Sequence, residues 1–174
     1  SRINHIGSTS VPGLIAKPTI DILLEIPTDA DIPSLTAALI SAGYICNMQP
    51  NNPAPHLMFM KGYTPQGFRG QAVHLHVRFP GDWDELYFRD YLRSHPETAK
   101  SYGKLKQNLQ LRYEHDRDAY TEAKTDYENQ VQNHIYGTGN DQITHRSFGI
   151  PITSKNCRSE IVNSHKRNAD KINP

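Results

Sequence analysis

Apolar positions fall in strand-like runs through the first half of the chain and at helical spacing through the second. "RINHIG" reads as a short strand ended by Gly7. "STSVPGLIAKP" reads as a loop, because two prolines and Gly13 interrupt any regular element. "TIDILLEI" is β-branched and apolar at successive positions, the pattern of a strand buried on both faces. "DIPSLTAALISAGY" predicts a helix, with Pro33 near its start, Leu35, Leu39 and Ile40 on one face, and Gly43 where it stops. The Pro- and Asn-rich "NMQPNNPAPH" separates it from two further strands, "LMFMKGY" and "AVHLHVRF".

From Asp82 the period becomes helical, and Leu86, Phe88, Tyr91 and Leu92 can line a core face. "SHPE" at Ser94–Glu97 has the spacing of a capping box, which predicts Ser94 as the residue that caps the next helix. That helix carries Tyr102, Leu105, Leu109 and Leu111, and a last one runs from about Asp116 to Ile135. Strands first and helices later give an α+β class, with no internal repeat. Beyond this the apolar period is lost. Residues 1–136 therefore read as one domain, and 137–174 as a polar tail, extended or poorly ordered.

Composition changes this picture little. The 174 residues suffice for one domain with a modest core. The tail holds six Lys/Arg and three Asp/Glu, which leaves 13 and 15 for residues 1–136. That near-neutral body has no basic footprint for nucleic acid. Cys46 and Cys157 are far apart, in no metal-ligand spacing, and demand no oxidising compartment. With no signal-like segment and no membrane-length apolar run, the expectation is a cytoplasmic protein without a membrane partner. The sequence opens without Met in the middle of a strand, so a preceding piece is expected. Oligomeric state is not legible.

Candidate chemistry begins at Gly7. A glycine at a strand end lets backbone amides approach a phosphate, and Ser8, Thr9 and Ser10 add hydroxyls. The same residues also make an ordinary tight turn. Asp21 tips the balance, because a carboxylate in a run as apolar as "TIDILLEI" is costly unless paired, protonated or bound to a cation. Strand alternation puts Asp21, Leu23 and Glu25 on one face, and Glu25 can lie at the solvent end. His74 and His76 share a strand face too, and with Asp21 they make a donor set for a transition metal. They fit a solvent-facing sheet edge equally well, and His5 can join either arrangement. Arg89 and Arg93, at i,i+4, offer two guanidinium forks for phosphate, or Arg89 pairs with Glu85. Lys104, Lys106 and Lys124 read as solvated.

Together, "HIGSTSVPGL", "AKPTIDILLEI", "HLHV", "FRDYLRSHPETAKSYGKLK" and "YTEAK" resemble the GrpB family, which is also found fused to dephospho-CoA kinases. The resemblance covers Ile3 to about Tyr136. It implies a nucleotidyltransferase-like fold, a small mixed sheet packed with helices and followed by a C-terminal helical part, with a helical segment ahead of "HIGST". In that superfamily the Gly-Ser turn binds phosphates and a carboxylate pair, joined by a third acid, holds two divalent metals. Gly7, Ser8 and Asp21 match, while Leu23 stands where the second carboxylate belongs. The implied cofactor is a divalent metal (Mg, Mn or Zn), and the implied ligand a nucleotide or phosphorylated small molecule. Two functions follow: metal-dependent nucleotidyl transfer, with Asp21 catalytic, or a non-catalytic phosphate-binding accessory domain.

Overall fold

The computed structural model describes residues 1–64 and 67–137. Five strands form one mixed sheet: β1 (Arg2–Ile6), β2 (Thr19–Glu25), β3 (Ile45–Met48), β4 (Leu57–Thr64) and β5 (Gly67–Arg78). Their order is β1-β2-β5-β4-β3, with β2 and β5 parallel and the other neighbours antiparallel. The helices are α1 (Ile32–Ser41), α2 (Asp84–Ser94), α3 (Pro96–Arg112) and α4 (Arg117–Gly137), and a 3₁₀ turn spans Ser8–Ser10. The α+β class with a helical C-terminal part is thus the observed one. Of the expected tail at 137–174, Gly137 is the last residue of α4, and 138–174, with Cys157, lie outside the described residues.

Residue alternation gives the sheet two unlike faces. On one, Ile22, Leu24, Phe59, Leu75 and Val77 pack against Ile32, Leu35 and Leu39 of α1. The α1 helix forms where Asp31 accepts from the Ser34 amide at 3.0 Å and Pro33 sits in the first turn. Its Ile40, which the sequence pattern groups on one face with Leu35 and Leu39, is 53% exposed, since 100° per residue carries it past the contact stripe. The other face carries Asp21, Leu23, Glu25, His74, His76 and Arg78, because the register sets Asp21 beside His74, Leu23 beside His76 and Glu25 beside Arg78. Leu23, Met58 and Met60 form its buried floor.

A second core joins the helices to the loop after the 3₁₀ turn: Val11, Leu92, Ala99 and Tyr102, with Leu14, Phe88, Tyr91 and Tyr127 against them. Leu111 is 81% exposed near the end of α3. The capping box does not form. Pro96 is the first residue of α3 and His95 its N-cap, while the Ser94 hydroxyl donates back to the Asp90 and Tyr91 carbonyls. Proline's fixed φ suits the first helical position, which moves the boundary one residue past Ser94. The strand β3 escapes the sequence pattern, being a four-residue edge strand beside a Pro-rich loop.

Candidate functional site

The turn after β1 is built around Gly7, whose φ of 69° is the left-handed region where glycine is at ease. A Cβ at that position would also lie 2.5 Å from Asp21 Oδ2, so the missing side chain is the space into which the carboxylate fits. Two of the three hydroxyls maintain the turn. Ser10 Oγ donates to the Gly7 carbonyl at 2.6 Å, and Thr9 Oγ1 donates to the Thr19 carbonyl at 2.9 Å while meeting His5 Nε2 at 3.0 Å. From outside, Arg93 donates twice to the Ser10 carbonyl, at 2.7 and 3.0 Å, and Arg89 donates to the His5 carbonyl at 3.0 Å. Arg89 is also tied to Asp90 at 2.7 and 3.0 Å. Both guanidiniums thus clamp the turn to α2. The Glu85 carboxylate binds Arg78 at 2.7 Å.

Ser8 is different. Its Oγ accepts from Lys106 Nζ at 3.0 Å, a contact between residues 98 apart that no local pattern reveals. Lys106 is 8% exposed rather than solvated, since it lies on the inward face of α3 over the Tyr102 ring, 4.8 Å from its centroid, and donates to the Ile15 carbonyl at 2.5 Å. Burial, then the nearby Lys124 ammonium, pull its pKa down to about 8, against a smaller opposing pull from Glu128. Glu128 is itself engaged by Lys124, at 3.2 Å, and by the Tyr102 hydroxyl. Among the described residues no carboxylate lies within ion-pair distance of Lys106.

Asp21 presents one oxygen to the turn and one to β5, where Oδ1 meets His74 Nδ1 at 2.9 Å. His74 Nε2 in turn meets the Tyr63 hydroxyl at 2.5 Å. Both imidazole nitrogens are therefore engaged. His76 follows two residues along the same face, and burial drives its pKa down to about 4, so its imidazole is neutral at pH 7. Leu23, two residues after Asp21 on the same face, is wholly buried. Among the described residues no group of three His, Cys, Asp or Glu is arranged to hold a metal. A transition-metal site of Asp21, His74 and His76 would require His74 to give up one hydrogen bond.

Glu25 does not lie at the solvent end. It is 1% exposed, and its Oε1 takes Arg2 at 2.7 Å, Trp83 Nε1 at 3.2 Å and the Gly81 amide at 3.4 Å. Desolvation raises its pKa, but these donors outweigh it and hold the carboxyl below its usual value. The group pins the loop before α2 to the end of β2, away from the turn.

A family model described as GrpB protein matches residues 1–134. The chain belongs to the GrpB family. Among GrpB-related proteins, a UPF0157 protein of Pseudomonas aeruginosa is 45% identical over 124 residues, covering 70% of this chain and 50% of that protein. The glutamate-rich protein GrpB of Alkalihalophilus pseudofirmus is 31% identical over 140 residues, covering 76% and 78%. The crystal structure of the conserved protein GrpB from Enterococcus faecalis superimposes with a TM-score of 0.66 at 28% identity, covering 79% of this chain and 81% of that one. The chain thus spans only half the length of its Pseudomonas relative. No helix among the described residues is long and apolar enough to cross a membrane.

Proposed function

We propose that this GrpB-family chain is a nucleotidyltransferase-like protein that binds a nucleotide or a phosphorylated small molecule at the turn from Gly7 to Ser10. The observation that carries this reading is Lys106, a buried ammonium held against Ser8 with no carboxylate partner among the described residues. A buried charge lacking its counter-charge is costly, and an anion seated at the turn would compensate it. Ser8 Oγ, which accepts from Lys106, keeps its own proton for a phosphate oxygen. Arg89 and Arg93 serve such a ligand indirectly, by fixing the His5 and Ser10 carbonyls.

Asp21 would supply the negative charge. A divalent ion there would be shared between Oδ2 and ligand phosphate oxygens, neutralising charge at the reacting phosphate. The reaction would be transfer of a nucleotidyl group to a hydroxyl. Leu23 favours a second reading, binding without chemistry, because a two-metal site needs the carboxylate that Leu23 replaces.

A thermal-shift screen of nucleotides and phosphorylated metabolites, with Mg²⁺, Mn²⁺ or chelator, tests both. A ligand at a hundred times its dissociation constant adds about 2.7 kcal/mol. The reading expects such a shift in the wild type and its loss in Lys106→Met. Turnover that requires metal selects the enzyme, and a shift unaffected by chelator selects the binding domain. A shift retained in full by Lys106→Met contradicts the site.

A further inference from the structure

We propose that His74 and Tyr63 are positioning residues for Asp21, forming a hydrogen-bonded chain that turns Asp21 Oδ2 toward the turn; this rests on the reading of the turn as the ligand site. The backbone supplies the first observation. Along β4, Met60 lies opposite His74 and Lys61 opposite Val73, so strict alternation would put Tyr63 on the face opposite to His74. Between Lys61 and Tyr63 the register shifts, and Gly62 has a φ of 86°. A Cβ on Gly62 would stand 2.5 Å from the Gln71 carbonyl, so only glycine fits the irregularity. Such bulges re-aim a side chain, and this one delivers Tyr63 to the face of His74.

The second observation is the bonding that results. The Tyr63 and His74 rings are nearly parallel, 11° apart, with the hydroxyl 2.5 Å from Nε2. A tyrosine O–H donating to Nε2 leaves the imidazole proton on Nδ1, the nitrogen 2.9 Å from Asp21 Oδ1. An ionised Asp21 can only accept there. Oδ1 is thereby fixed, and Oδ2 is directed at Gly7. An oxygen held in this way faces either a hydroxyl donor or a cation of the bound ligand. Tyr63 acts through His74 and Asp21 and needs no ligand contact of its own. Beside it on the same face, Met60 and Leu23 are buried.

Two measurements test this, and they can fail separately. Long-range ¹H–¹⁵N correlation spectra of the full chain should show His74 protonated at Nδ1, with Nε2 an acceptor. In Tyr63→Phe the second tautomer should appear. A wild-type His74 protonated at Nε2 overturns the proposal, whatever the ligand. Binding of Mg²⁺·ATP and of inorganic phosphate is then titrated into the wild type, Tyr63→Phe, His74→Ala, His74→Asn and Asp21→Asn. Mg²⁺·ATP affinity should fall at least fivefold in Tyr63→Phe and further in His74→Ala. His74→Asn, whose amide nitrogen can stand in for Nδ1, should recover part of it, at unchanged melting temperature. If Asp21→Asn abolishes binding while Tyr63→Phe binds within twofold of wild type, the positioning role is wrong and the ligand site survives. If neither probe binds the wild type, the ligand site falls together with the purpose assigned to the chain.

Discussion

The two faces of the sheet are held by different physics, although the strands that build them are the same. Toward α1, Phe59, Leu75 and Val77 are buried by close packing alone. On the other face, single residues out of phase carry Asp21, His74, His76, Glu25 and Arg78, each buried or half-buried among Leu23, Met58 and Met60. The first face depends on volume and is indifferent to pH. The second depends on which proton sits where, because burial lowers the pKa of His76 on that face and of Lys106, which reaches the adjoining turn from α3. A fold that needed only stability would have no reason to keep both kinds of face, so the polar one is where function is to be sought.

The largest way to break the comparison is on the apolar face. Phe59→Ala should cost about 3–5 kcal/mol, with the same loss at pH 5 and pH 8. Denaturant unfolding at the two pH values checks this; a loss that varied with pH would mean the faces are coupled.

Next is the acid limb. His76 keeps its imidazole neutral down to about pH 4, against a usual 6.5, so between those values the unfolded chain binds more protons than the folded one. Stability therefore falls as pH drops through that window, by up to about 3 kcal/mol. Glu25, whose folded pKa is lowered, adds to the loss in the same direction at still lower pH. His76→Gln should flatten the limb above pH 4, and an unchanged slope would remove His76 from the account.

At the alkaline side the sign comes from Lys106. Its folded pKa of about 8 lies below the usual 10.5, so the unfolded chain holds the proton longer. Stability of the ligand-free protein should rise between those values, by less than the acid limb loses, and Lys106→Met should abolish the rise. The smallest effect belongs to Ile40. As an exposed residue on the solvent side of α1, Ile40→Ser should change stability by less than about 0.5 kcal/mol.

Much of this was readable in the sequence, for identifiable reasons. Gly7, the acid in "TIDILLEI" and the His-x-His pair are local features, and strand alternation alone put Asp21, Leu23 and Glu25 on one face. The parts that escaped depend on contacts distant in sequence or on broken periodicity. Lys106 looked solvated because its partners, Ser8 and Ile15, are more than 90 residues away. Tyr63 was invisible because the bulge at Gly62 reverses its parity. Ser94 had the right spacing to cap α3, but Pro96 claimed the first helical position. Nothing local marks Glu25 as buried, because its partners come from β1 (Arg2) and from the loop before α2 (Trp83).

The central claim is that Lys106 and the Gly7–Ser10 turn form an anion site. Calorimetric titration at pH 7.5 and pH 9.5, with the nucleotide that stabilises the protein most, tests it directly. Around Lys106 stand Tyr102, Lys124 and Glu128, and burial brings the Lys106 ammonium down into this range. The wild type should lose about tenfold or more in affinity at the higher pH, as the ammonium is lost next to a bound anion. Lys106→Met should bind weakly and equally at both values, while Lys104→Met, on the exposed side of α3, should behave as wild type. Affinity that is the same at both pH values in the wild type, or undiminished in Lys106→Met, would contradict the account.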